Sequence, residues 1–119
     1  MKIGYIELAG EKHPLCFSIS ASEEICEKFG SLDGMVKALD DKDIANRLSA
    51  IDSVLSIMMD AGRKACDIMG EEIPSPPAFR PADVIDVRDA LDAIYGTISR
   101  DSARTVEAKP KKDDPAPAG

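Results

Sequence analysis

Ile44-Ala45-Asn46-Arg47-Leu48-Ser49-Ala50-Ile51-Asp52-Ser53-Val54-Leu55-Ser56-Ile57-Met58-Met59 is the most periodic stretch of this chain of 119 residues. Ile44, Leu48, Ile51, Leu55 and Met58 step by four, three, four and three. That spacing lines them along one face of an α-helix. Val54, Ile57 and Met59 widen the stripe, while Asn46, Arg47, Ser49, Asp52, Ser53 and Ser56 are left for water. Ala61-Gly62 predicts an interruption, with Lys64 to Met69 resuming for a turn or two.

Upstream, Asp40-Asp41-Lys42-Asp43 separates this helix from a shorter one carrying Leu32, Met35, Val36 and Leu39, with Ser31 as its cap. The acidic groups suit the positive end of the following helix dipole. Before Ser31, Ile25, Cys26 and Phe29 recur at helical spacing. Ser20-Ala21-Ser22-Glu23 matches a capping box at the start of that helix, and Gly30 stands where a left-handed terminator belongs. The first twenty residues read as a hairpin. Ile3 to Leu8 forms one strand, Ala9-Gly10-Glu11-Lys12 the turn, and Leu15-Cys16-Phe17-Ser18-Ile19 a second strand with Leu15, Phe17 and Ile19 on one face. Pro14 lacks an amide hydrogen, so it belongs at the start of that strand or on an open edge.

Downstream, four prolines within residues 74–81 (Pro74, Pro76, Pro77 and Pro81) predict an extended connector over 70–81. Pro81 is placed to open a last helix, in which Val84, Val87, Leu91, Ile94 and Ile98 step by three, four, three and four. Apolar residues nearly vanish after Arg104, so 105–119 is expected to be a disordered tail. The expected fold is α+β: one domain over 1–104, with an N-terminal β-hairpin packed on a small bundle of three to five helices. Its expected core is Phe17, Ile19, Ile25, Phe29, Leu48, Ile51, Leu55, Leu91 and Ile94.

Charge narrows the function classes. Fifteen Lys and Arg face 22 Asp and Glu, a net charge of −7. Nucleic-acid binding draws on cationic neutralisation of phosphates, and the densest basic stretch, Lys109, Lys111 and Lys112, runs straight into Asp113 and Asp114. No nucleic-acid partner is expected. No apolar run reaches the roughly 20 residues of a membrane span, and Glu7 falls where a signal peptide needs an unbroken apolar core. Cys16, Cys26 and Cys66 lack Cys-x-x-Cys spacing, and three thiols cannot all pair within one chain. They read as small apolar side chains in a reducing cytoplasm.

Reaction chemistry finds little to work with. His13 has no partner at ligand spacing, Glu23-Glu24 and Glu71-Glu72 are adjacent and so do not face each other on a helix, and Asp40 to Asp43 lacks the glycine and terminal glutamate of an EF-hand. No phosphate-cradling glycine loop or nucleophile elbow is present. The sequence predicts no catalytic residue, no metal site, no cofactor and no enzyme activity. What remains is partner binding. Part of the apolar stripes can stay exposed for another helix or a second copy, and Met35, Met58, Met59, Val84, Val87 and Leu91 are the candidate contacts, since flexible thioethers suit adaptable surfaces. An unpaired strand edge makes homo-oligomerisation possible.

A hairpin leading into Ser22-Glu23-Glu24-Ile25-Cys26-Glu27-Lys28-Phe29-Gly30-Ser31-Leu32-Asp33-Gly34 resembles the tail assembly chaperones of long-tailed bacteriophages and prophages. Those proteins combine a compact hairpin, a helix ending in an aromatic-Gly-Ser-Leu-like turn, and further helices. The resemblance covers residues 1–60; past Gly62 only helical character agrees, and the Pro74–Pro81 connector has no counterpart. It implies a non-enzymatic role in the host cytoplasm, with binding to the tape measure protein, recruitment of tail tube subunits, and absence from the finished virion. It also implies a longer frameshifted form, for which Lys109-Pro110-Lys111-Lys112 would be encoded by an A-rich slippery stretch. A different class fits the acidic charge as well: a small regulatory adaptor or antitoxin that sequesters a partner protein.

Overall fold

Two residues turn the chain at its start. Ala9 and Gly10 both have positive φ, 51° and 85°, the backbone of a two-residue type I′ turn whose twist matches that of the strands it joins. The computed structural model describes residues 3–72 and 75–108, with side chains through Ser99. Strands β1 (Gly4–Leu8) and β2 (Glu11–Leu15) pair antiparallel, from Gly4 opposite Leu15 to Leu8 opposite Glu11. Gly4, Ile6 and Leu8 turn inward and Tyr5 and Glu7 outward.

The second strand thus lies four residues earlier than its alternating pattern predicts. Of its two expected places, strand start or open edge, Pro14 takes the edge: it lies inside the strand, opposite Tyr5. The tight turn makes Leu8 and Glu11 a hydrogen-bonded pair, and alternation then leaves Pro14 on a pair whose amides face away from the partner strand. The missing donor costs the ladder nothing.

Ser18 decides where the next helix starts. Its Oγ accepts from the Ala21 amide at 3.1 Å, and α1 runs Ile19–Phe29, so the cap is Ser18 and not the expected Ser20–Glu23 box. Ile19 becomes the first helical residue and is exposed, a correction to its expected place in the core. Ser18→Ala should lower stability by about 1 kcal/mol, and Ser20→Ala, exposed and without a capping role, by far less. Parallel urea titrations would show it.

The turn after α1 follows its local signals. Gly30 adopts the left-handed conformation, and Ser31 Oγ accepts from Gly34 N at 2.9 Å to begin α2 (Leu32–Leu39). Asp43 caps α3 (Ile44–Met69) by accepting from Ala45 N at 3.0 Å, and Asp41 in turn accepts from Asp43 N at 2.8 Å. Helix α3 runs through Ala61-Gly62 without the expected interruption.

Packing explains that glycine. A Cβ on Gly62 would stand 2.8 Å from the Leu15 amide nitrogen and closer still to the Pro14 carbonyl, so the bare Cα lets the hairpin cross the helix. Immediately beyond, Cys16 N donates to the Met58 carbonyl at 3.1 Å, a main-chain bond from the hairpin's exit to α3. The inward face of α3 holds Ala50, Ile51, Val54, Leu55, Met58, Met59, Gly62, Ala65 and Cys66.

After Gly70 the connector leads to a single 3-10 turn, Pro81–Asp83, where Pro81 takes the first position. Arg80 pins it to α3 through Asp52 at 3.1 Å. Helix α4 (Val87–Ala108) starts later than expected, capped by Asp86, whose Oδ1 accepts from Asp89 N at 2.8 Å. It continues past the expected boundary at 104; the rest of the expected tail, 109–119, lies outside the described residues. The hairpin, α1, α2 and α4 all pack about α3 or one another, giving the α+β architecture of a hairpin on four helices. The core joins Leu8 and Leu15, Ile25, Met35 and Leu39, Leu55 and Met58, and Ile94.

Candidate functional site

Of the expected contact residues, Met35, Met58 and Met59 are buried. They are corrected to core residues: each lies on the inward face of α2 or α3, where neighbouring elements already cover it. Val84 is exposed, while Val87 and Leu91 are half-buried against the core. The six do not form one surface. Val87 instead shares an open groove of about 370 Å³ with Leu48, Ile51 and Leu55, between α3 and the start of α4. Leu48, expected in the core, stands at the rim of this groove and is exposed.

The strongest apolar exposure lies elsewhere. Ile19 is 82% exposed and Ile68 85% exposed. Both line one groove of about 330 Å³ between the first turn of α1 and the last turns of α3. Small side chains, Ala21, Ala61 and Ala65, make its floor, with Glu24 and Lys64 at its margins. Residues 61, 64, 65 and 68 recur at helical spacing, so α3 presents them as one ridge. Neither isoleucine was a sequence candidate. The alternating pattern places Ile19 in a strand, and Ile68 lies beyond the interruption predicted at Gly62. Carrying the inward stripe of α3 unbroken through Gly62 would have left Ile68 off it.

Among the described residues, no three His, Cys, Asp or Glu side chains gather where they could hold a metal ion. Asp41 and Asp43 spend carboxylate oxygens on backbone amides at the start of α3. Burial pushes the Cys66 thiol up from its ordinary value, Glu71 adds to the rise, and Arg63 opposes it. Such a thiol is a poor nucleophile at neutral pH. Tyr95 is likewise raised, by burial and by Asp40 against the opposing charge of Arg47. No disulfide joins the three cysteines.

His13 is the anomaly of the interior. It is 1% exposed, and neither ring nitrogen makes a hydrogen bond within the chain. Glu11 Oε1 stands 3.5 Å from Nε2, too far for a well-formed hydrogen bond. No helix is long and apolar enough to cross a membrane among the described residues. Comparison of the chain with protein-family models, with curated proteins and with solved structures found no match.

Proposed function

We propose that this chain is a non-enzymatic tail assembly chaperone of a long-tailed phage or prophage, acting in the host cytoplasm and absent from the finished virion. Its client is the tape measure protein, whose apolar helices it keeps soluble while tail tube subunits are recruited. The observation that carries this reading is the pair Ile19 and Ile68, both more than four-fifths exposed across one groove. Leaving an isoleucine in water forgoes roughly 1.5–3 kcal/mol relative to full burial. An amphipathic client helix laid along the α1–α3 groove recovers that energy through side chains three and four residues apart. The alanine floor admits large client side chains, and the net charge of −7 opposes self-association of the complex.

Co-expression with the tape measure protein tests the reading. The client is expected to become soluble and to co-purify with the chain. Ile19→Asp combined with Ile68→Asp should keep the helical signal, because both positions are exposed, and should reduce co-purified client at least tenfold. A client that aggregates equally with and without the parent chain would refute the chaperone role.

A further inference from the structure

The two edges of the hairpin are finished differently. On the β2 side only Lys12 presents an outward-facing amide, since Pro14 offers no donor and Cys16 N is bonded to the Met58 carbonyl. On the β1 side, Tyr5 and Glu7 belong to the pairs whose N–H and C=O groups point away from β2. Among the described residues, no backbone group of another element bonds to them. An open edge of this kind is a template for an added strand.

Beside that edge runs a groove of about 380 Å³, with Tyr5, Ile6 and Glu7 on one wall and α4 on the other. Asp89, Asp92, Ala93 and Gly96 share a face of α4 by their three- and four-residue spacing, and all four line the groove. A Cβ placed on Gly96 would meet nothing within 4 Å, so the α4 wall stands back from its surroundings there. The lining contains the carboxylates of Glu7, Asp89 and Asp92 and no lysine or arginine.

These features choose among occupants. A second copy adding its own β1 would set Glu7, Asp89 and Asp92 against their counterparts, like charge against like. The basic run Lys109 to Lys112 follows α4 too closely to serve. Helix α4 ends twelve residues past Gly96, about 18 Å at 1.5 Å per residue. A chain returning that far in extended form spends roughly six residues, and so uses up Lys109 to Lys112 before the groove is reached.

We propose that the groove between the free edge of β1 and α4 captures an extended, lysine- or arginine-bearing segment of a partner protein by strand addition. Main-chain bonds to Tyr5 and Glu7 supply the register. Small side chains on the inward side of the segment fit against Ala93 and Gly96, and its cations meet Asp89 and Asp92. This site shares no residue with the Ile19–Ile68 groove and stands whether or not the client there is a tape measure protein.

The test uses the full chain and a fluorescently labelled nine-residue peptide alternating lysine with threonine and valine. Fluorescence anisotropy should show saturable binding, and hydrogen exchange at the Tyr5 and Glu7 amides should slow at least tenfold in the complex. A peptide with glutamate in place of lysine, and a basic peptide with proline at alternate positions, should each bind at least tenfold more weakly. Gly96→Leu, which fills the groove, and the pair Asp89→Asn with Asp92→Asn should each weaken binding at least fivefold with unchanged circular dichroism. Ile19→Asp with Ile68→Asp should bind as the parent does. Equal binding of the proline-bearing peptide would reduce the effect to charge alone and overturn the proposal. So would unslowed exchange at Tyr5 and Glu7, a concentration-dependent dimer abolished by Gly96→Leu, or tighter peptide binding after removal of residues 109–119.

Discussion

Gly62→Ala should destabilise the protein by about 2–3 kcal/mol, although alanine is the better helix former. In an exposed helix interior the exchange gains roughly 1 kcal/mol. At this position the new methyl group would press on the Pro14 carbonyl and the Leu15 amide, which are main-chain atoms of β2 with no rotamer to yield. The hairpin must lift from α3. Overpacking of this kind costs roughly 1–3 kcal/mol in its own right. Lifting also stretches the Cys16–Met58 main-chain bond and loosens Leu15, which is fully buried. Gly96→Ala is the internal control: its Cβ meets open space, and that variant should gain up to about 1 kcal/mol. Urea denaturation of both variants beside the parent checks the pair. Equal shifts in the same direction would mean that Gly62 does not carry the crossing.

His13→Leu should stabilise the fold by about 1–2 kcal/mol. A buried polar group without a hydrogen bond costs roughly 1–3 kcal/mol, and both His13 nitrogens are in that condition within the chain. Leucine is of similar bulk and brings no polar atom to the inward face that His13 shares with Ile6 across the hairpin. Glu11 loses little, since its carboxylate is largely in water and stands 3.5 Å from the ring. His13→Gln is the informative companion: it keeps polar atoms in the same place and should give none of the gain. Thermal unfolding monitored by circular dichroism reads both. A destabilised His13→Leu would show that the imidazole serves an interaction beyond those within the chain.

Local chemistry was legible wherever one residue settles one hydrogen bond. Gly30 and Ser31 close α1 and open α2 as their sequence suggests, because a left-handed glycine and a serine cap act on amides three or four residues away. The helical stripes at 44–58 and 84–98 located α3 and α4, and Ile25, Ile51, Leu55 and Ile94 are core residues as expected. The beginning of α1 was less legible because Ser18, Ser20 and Ser22 all compete to cap it. The outcome depends on how early β2 ends, and the two-residue turn at Ala9-Gly10 sets that.

The contact surface was hardest to read. A methionine or isoleucine on a stripe looks the same whether the facing surface is its own chain, a partner or water. Met35, Met58 and Met59 became core because the hairpin, α1 and α4 close over α2 and α3. Ile19 and Ile68 were left outside because they occupy the outer turns of α1 and α3. The sequence by itself therefore determined the order of hairpin and helices and the Gly30–Ser31 junction between α1 and α2, since period and capping act over a few residues. Only the tertiary structure decided which side of each stripe is covered, that Gly62 is a crossing rather than a break, and that β1 faces α4 across a groove. Those outcomes depend on where distant segments meet, and no local pattern carries that information.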